Sequence, residues 1–373
     1  MGNVPNLRFP EFSGEWENCQ IANILSIGSG RDYKHLEKGN IPVFGTGGYM
    51  TSVNECIYDG ETTFIGRKGS INKPFYYNGK FWTVDTLFYT HSFNKTTPKF
   101  VYCLFQTINW LRYNEASGVP SLSKDTIEKI KVFIPQLDEQ RKISEMLSVI
   151  DERIATQNKI IEKLESLIKG LNDSLYKRYD DSIRTTFAKL GYSYSGLSGK
   201  SAEDFGTGKP FITYLNVYSN NVVNENDYQY VRIGEGEKQN VVQYGDVLFT
   251  LSSETPEEVG IGTVYLGHDE VYLNSFCFGI HIVNEKQAYP PYLSYYVSST
   301  PFRKFIYPFA QGSTRFNLCK ADFERASITL PSLDNQKRIY SVLNSITMKI
   351  SIEKAMLEQY VTQKQHLLRQ MFI

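Results

Sequence analysis

The stretch "IPQLDEQRKI" at Ile134–Ile143 returns near the far end of the chain as "LPSLDNQKRI" at Leu330–Ile339. Pro, Leu, Asp, Gln and Ile keep their places, and the copies begin at positions 134 and 330, an offset of 196. Each copy opens a heptad pattern. From Ile143 the seam runs through Leu147, Ile150, Ile154, Gln157, Ile161, Leu164, Ile168, Leu171 and Leu175 in alternating steps of four and three. Adding the offset gives Ile339, Leu343, Ile346, Ile350, Glu353, Leu357, Tyr360, Lys364, Leu367 and Met371. An apolar seam sustained over more than four heptads predicts coiled-coil helices. The second copy is the weaker, interrupted at Glu353 and Lys364. The polar step at Gln157 recurs at Glu353, and it reads either as a register-setting layer or as a local gap facing water.

One amphipathic helix cannot hide its stripe alone, whereas two copies can hide theirs against each other. A helix from about 138 to 177 would be roughly 60 Å long at ~1.5 Å per residue. The simplest connectivity predicts an antiparallel pair with a pseudo-two-fold axis. The polar bridge expected over 178–205, about 28 residues long, leaves a parallel pairing open.

The repeat continues upstream at drifting offsets. "ASGVPSLSKDTI" (116–127) matches "AQGSTRFNLCKADF" (310–323), "PKFVYCLF" (98–105) matches "PPYLSYYV" (290–297), and "IPVFG" (41–45) matches "KPFITY" (209–214). Two similar globular domains separated by loop insertions give this pattern. Short β-branched and aromatic runs broken by Gly, Asn and Pro, such as "TTFIGRKGS" and "GDVLFTLSS", predict a small twisted sheet in each half. "PKFVYCLFQTINWLRYNEA" and "PPYLSYYVSSTPFRKFIY" each predict a proline-started helix. The fold class is therefore α+β: two similar globular domains separated by two long antiparallel coiled-coil helices, as an internal repeat. The expected boundaries are 1–135, 136–178, 179–331 and 332–373.

Composition narrows the function. The 373 residues hold 40 Lys and Arg against 40 Asp and Glu, so no whole-chain basic field exists to gather nucleic acid. Five scattered cysteines, with no CxxC, read as free thiols rather than a disulfide frame or zinc site. The start "MGNVPNLRFP" has no basic segment followed by an apolar one, and no run of 18 apolar residues occurs. No secretory leader, no membrane span and a cytoplasmic location are expected.

Enzyme motifs fail on inspection. "AYPPYLSYY" (288–296) mimics the [N/D]PPY motif of amino-methyltransferases but has Tyr289 where the acceptor belongs. "GLSGKS" (196–201) ends like a P-loop but has Tyr194 at the first glycine position. The five histidines show no ligand spacing, and no cofactor is expected.

The tandem layout, the "LDEQRKI"-type start of a heptad helix, "FIGRKGS" followed by "TVDTLFY", and "AQGSTRFNL" before the second start together resemble the specificity (S) subunit of type I restriction–modification systems. The resemblance covers essentially the whole chain. It implies two target-recognition domains, each reading half of a bipartite double-stranded DNA sequence. It implies that the paired helices set the spacing and dock two DNA-adenine methyltransferase subunits, with two motor-nuclease subunits completing the restriction complex. It also implies a chain that performs no chemistry itself. The rival classes are a pure coiled-coil scaffold, and a DNA methyltransferase or nuclease with its own site.

Candidate DNA contacts follow from residue type, each with a plainer reading beside it. "GRKGS" (66–70) sets Arg67, Lys68 and Ser70 in a glycine-flanked turn, suited to phosphate or guanine; otherwise it is a solvated β-turn. "AQGSTRFN" (310–317) offers Gln311, Ser313, Thr314, Arg315 and Asn317, suited to base edges; otherwise it is a polar loop before a strand. Ser117 and Ser121 are the weaker first-domain counterparts, and Arg315 has no evident twin. Arg31, Lys34, Lys200 and Lys209 lie in glycine-rich stretches where phosphate contact and a plain surface loop are both open. Residues 1–137 carry 14 Lys and Arg against 12 Asp and Glu, and residues 181–333 carry 12 against 16. The isolated chain should hold DNA weakly, with partner subunits supplying the missing charge.

Overall fold

The computed structural model describes residues 2–175 and 181–373. The expected end of the first helix near 177 and the boundary at 178–179 fall outside the described residues. The chain forms two units, Met1–Lys159 with Lys354–Ile373, and Ile160–Glu353. Each long helix, Leu137–Leu175 and Leu333–Met371, contributes to both.

In the first unit six strands pair in the order Ser26–Ser29, Leu87–His91, Tyr58–Gly66, Phe75–Thr83, Lys38–Gly45, Gly48–Val53. All neighbours are antiparallel except Lys38–Gly45 beside Phe75–Thr83, where Val43 lies opposite Trp82. The β-branched and aromatic residues that favour strands also fill the interior. Thr62, Thr63, Phe64 and Ile65 are fully buried in succession, and Phe64 packs on Phe75 and Phe81, both with centroids 4.7 Å away.

The second unit repeats this order. Gly191–Ser195, Cys277–Ile282, Val247–Thr250 and Gly262–Val264 form one antiparallel sheet. Tyr228–Val231, Phe205–Ile212 and Tyr272–Leu273 form another, with the parallel pair again present as Phe211 opposite Tyr272. The single strand Phe75–Thr83 of the first unit corresponds here to two short strands, Gly262–Val264 and Tyr272–Leu273.

One cross-strand pair is exchanged between the copies. Gly28 faces Tyr89 in the first unit, and Tyr194 faces Gly279 in the second. A Cβ on Gly28 would lie 2.1 Å from the Tyr89 ring, and one on Gly279 would lie 2.2 Å from the Tyr194 ring. The aromatic ring lies over bare backbone in both, donated from opposite strands.

The bridge expected over 178–205 holds short strands and helical turns among its described residues. Ile183–Thr185 pairs with Ile328–Leu330, and Gly191–Ser195 is an edge strand of the main sheet. The two proline-started helices are also shorter than expected. The first ends at Thr107, where Trp110 Nε1 donates to the carbonyl of Phe105 at 2.8 Å. The second is broken into Pro290–Tyr296 and Thr300–Ile306. Pro301 cannot donate within a continuous helix, and Ser299 caps the new start by accepting from Phe302 N.

The seam is buried or half-buried throughout. Ile143, Leu147, Ile150, Ile161, Ile339, Leu343 and Ile350 are buried; Ile154, Leu164, Ile168, Ile346 and Leu357 are half-buried. In the first unit Ile143 and Leu147 share a core with Leu368, Met371 and Phe372. Asp151 meets Lys364 at 2.5 Å, and Arg153 lies over Tyr360 at 5.9 Å. Rising numbers on one helix meet falling numbers on the other, so the pair is antiparallel. In the second unit Leu171 and Leu175 pack on the core that holds Ile339 and Leu343. The water-facing reading of the polar steps is corrected, because Gln157 and Glu353 are each only 5% exposed and Glu353 pairs with Lys349. Lys364 is likewise part of the packing and not an interruption. Its ammonium sits 5.3 Å from the Tyr102 ring centre as well as against Asp151.

Candidate nucleic-acid interface

In the first unit the buried strand Tyr58–Gly66 ends in the turn 67–70. Gly69 adopts φ +85, a conformation that favours glycine, and a Cβ on Gly66 would meet the Ser70 carbonyl at 2.6 Å. The turn leans on the 116–122 loop: Gly69 N donates to Pro120 O at 2.9 Å, Leu122 N to Arg67 O at 2.9 Å, and Lys68 bridges to Ser121. Arg67, Lys68, Ser70 and Ser121 are thus brought together. Asn114 holds the loop in shape, donating to Ala116 O at 2.7 Å and accepting from Ser121 N at 2.9 Å, and leaves Ser117 exposed. Its neighbour Glu115 accepts from Ser123 and Thr126, and these bonds hold its carboxyl below the usual range.

The "TVDTL" turn joins a third segment to this patch. Thr83 O accepts from Arg31 N at 2.8 Å, and Thr86 O accepts from Arg67 N at 2.8 Å. The Arg67 guanidinium lies 6.0 Å from the Phe88 ring centre and donates to Asp85 O at 3.3 Å. Arg31 and Lys34 are exposed on the loop that follows Ser26–Ser29.

The second unit builds the same place from other residues. Ser252 pairs with Asn317, and Gln311 pairs with Asn317 from the other side. Gly312 turns this hairpin at φ +142, where a Cβ would meet the Arg315 carbonyl at 2.1 Å. Ser313 and Thr314 are exposed at its tip, as is Arg315. Leu318 N donates to Leu251 O at 2.9 Å, the counterpart of the Leu122–Arg67 bond. By this register Lys68 and Ser121 correspond to Ser252 and Asn317, Arg67 corresponds to Leu251, and Arg315 corresponds to Val119. The cation comes from the strand end in one unit and from the facing hairpin in the other.

The two remaining lysines lie elsewhere. Lys200 donates to Glu237 at 2.6 Å and to Arg232 O at 2.7 Å, with a side chain only 8% exposed. The Lys200 ammonium, with bonds from Gln239 and Gly234 N, holds the Glu237 carboxyl down at about 2. Lys209 pairs with Glu270 at 3.2 Å, both half exposed.

The sequence did not point to Asn114, Ser252 or Phe276. The spacing of Asn114 before a Ser-Gly turn is a local signal for it; nothing local marks the other two. The five cysteines are free. Among the described residues no group of three or more His, Cys, Asp and Glu could hold a metal ion, and no helix is long and apolar enough to cross a membrane.

The chain is thus a twice-built α+β unit, with a polar patch at the same place in each copy and a long helix leaving each. The family model for the type I restriction modification DNA specificity domain matches twice, over residues 13–166 and 198–362. The chain belongs to that family. Among its relatives, the type I restriction enzyme MjaVIII specificity subunit of Methanocaldococcus jannaschii is 24% identical over 267 residues, covering 66% of this chain and 62% of that one. A Haemophilus influenzae chain called a type I restriction enzyme specificity subunit, S.HindORF215P, is 21% identical over 373 residues, covering 91% and 92%. The chain therefore spans under two thirds of the first relative's length and nearly all of the second's. Two solved structures share the fold. The S subunit of a type I restriction-modification system from M. genitalium aligns over 99% of both chains, with TM-score 0.63 at 14% identity. A chain from a structural study of type I R-M complex assembly and conformational transition covers 95% and 96%, with TM-score 0.58 at 15% identity.

Proposed function

We propose that the chain reads a bipartite, asymmetric double-stranded DNA target, with domain 1–135 on one half-site and domain 179–331 on the other. Helices 136–178 and 332–373 fix the gap between the half-sites and dock two adenine-methyltransferase subunits; two motor-nuclease subunits add cleavage. The assembly works in the cytoplasm. The observation that carries this reading is the repeated strand register with exchanged chemistry: Lys68 and Ser121 in one copy stand where Ser252 and Asn317 stand in the other. A scaffold would have no use for two matched frames holding different hydrogen-bonding groups, whereas base edges are read by such groups. Apolar side chains left exposed along the helices, among them Val149, Ile160, Leu167, Met348, Ile352 and Met356, support a docking role.

The acidic balance of 181–333 supports shared binding, since phosphate neutralisation supplies most non-specific affinity. The test is a binding series on duplexes carrying a random sequence, for the chain alone and for the chain with its methyltransferase partner. The expected result is weak, unselective binding alone and selection of two short motifs at a fixed gap in the complex. Unselective binding by the complex would favour the scaffold reading.

A further inference from the structure

A pocket of about 420 Å³ lies in the second unit, beside the hairpin that carries Arg315. Its walls include Tyr214, Leu215 and Phe276, and its rim includes Ser252, Glu254 and Arg315. Leu215 is 68% exposed and Phe276 50% exposed, a large apolar surface to leave in water.

Arg315 is held in two ways. Its Nε donates to Ser252 Oγ at 2.7 Å, and its guanidinium lies 5.2 Å from the Phe276 ring centre. Ser252 is itself fixed: it is 6% exposed, paired in the strand opposite Asn317, and its carbonyl accepts from Tyr214 Oη at 3.1 Å. With Nε bound, the two terminal nitrogens project together, and among the described residues they make no hydrogen bond. A preorganised planar pair of donors matches guanine O6 and N7.

The surroundings disfavour a phosphate. Glu254 and Glu258 line the same pocket, and Glu258 accepts from Tyr218 at 2.9 Å and Ser253 at 2.7 Å. A phosphate would meet carboxylates and apolar walls there, whereas a base edge presents no net charge.

We propose that Arg315 reads a guanine in the half-site of the second domain and that Ser252 is the residue that positions it. This rests on the bipartite reading above. The first unit has Val119 at the equivalent place, so the contact belongs to one half-site only.

The experiment uses the full chain assembled with its methyltransferase partner, acting on a library of random duplex sequences, with methylated adenines mapped by sequencing. R315Q and R315K should each relax one guanine position by on the order of 10- to 100-fold. R315K fails because it keeps the charge without the fork. S252A should relax the same position to a lesser degree and S252T should restore it, with the half-site of the first domain and the thermal melting unchanged. The proposal is overturned if R315Q weakens methylation equally at all sequences, lowers the salt dependence by about one charge and is rescued by R315K, because that describes a phosphate contact. It is also overturned if S252A leaves the motif untouched while R315Q relaxes it, which removes Ser252 from the role. A wild-type complex that selects no split motif would sink the bipartite reading itself, a different failure.

Discussion

Gln140 and Gln336, 196 positions apart, are both fully buried and share three hydrogen bonds. Each donates its amide to the proline carbonyl five residues upstream, Pro135 O and Pro331 O, both at 2.9 Å. Each also reaches the segment ahead of the proline-started helix. Gln140 donates to Lys95 O at 2.9 Å and accepts from Thr97 N at 3.1 Å; Gln336 donates to Gln287 O at 2.7 Å and accepts from Tyr289 N at 2.8 Å. The repeated stretch is therefore a joint, clamping the first turn of each long helix to its own globular unit. Gln140→Ala and Gln336→Ala each strand several buried backbone groups and should cost about 2–4 kcal/mol in denaturant unfolding. A loss under about 0.5 kcal/mol would remove the joint from the account.

The exchanged pairs Gly28/Tyr89 and Gly279/Tyr194 make a second prediction. Gly28→Ala should destabilise by about 1–3 kcal/mol, because the new methyl falls inside the Tyr89 ring. The double variant Gly28→Ala, Tyr89→Ala should be less unstable than the two single losses added together. Strict additivity would mean that the ring does not cover the glycine.

The buried end of the seam supplies a third. Arg8 donates to both oxygens of Glu139, at 2.8 and 2.7 Å, and Glu139 is 2% exposed. The bonds to Glu139 push the Arg8 guanidinium further up from its ordinary value. Glu139→Ala should lower stability by about 3 kcal/mol, read by thermal melting, since it leaves a cation without its partner. Replacing Lys364 by Met, by contrast, should be near neutral only when Asp151→Ala is made with it.

A fourth prediction is pH-dependent. The folded Glu237 carboxyl is held at about 2, below the ordinary 4.5, chiefly by Lys200. The stabilisation is present above about 4.5 and fades as pH falls toward about 2. Hydrogen-exchange protection factors over 198–204 and 232–239, taken relative to the intrinsic exchange rate at each pH, should therefore fall in that window. Glu237→Gln should flatten the part of the profile set by the Lys200 pair and leave the share of Asp204, which the bonds from Ser201 also hold below its ordinary value; a profile unchanged by that variant would place the cause elsewhere.

The long helices were legible because a heptad repeats a signal many times, so that polar steps at Gln157 and Glu353 could not erase it. The tandem was legible for the same reason, as the motifs occur twice. Ile183–Thr185 and Gly191–Ser195 were not: they are 3 and 5 residues long, partly exposed, and their partners lie far away in sequence. Lys364 read as a defect because its acidic partner, Asp151, lies on the other helix. Arg67, Lys68 and Ser121 were picked by residue type, and only the fold puts them on one patch. Ser252 could not be picked at all, since a serine that orients an arginine 63 positions later carries no local mark.

If two matched frames read two different half-sites, exchanging one frame should change one half of the target and no more. The most direct measurement is a genome-wide map of methylated adenines made with the native chain and with a hybrid whose 179–331 segment comes from another family member. The account predicts a split motif in which the exchange changes one half and leaves the other half and the gap between them intact. A motif that changes in both halves, or in neither, would contradict it.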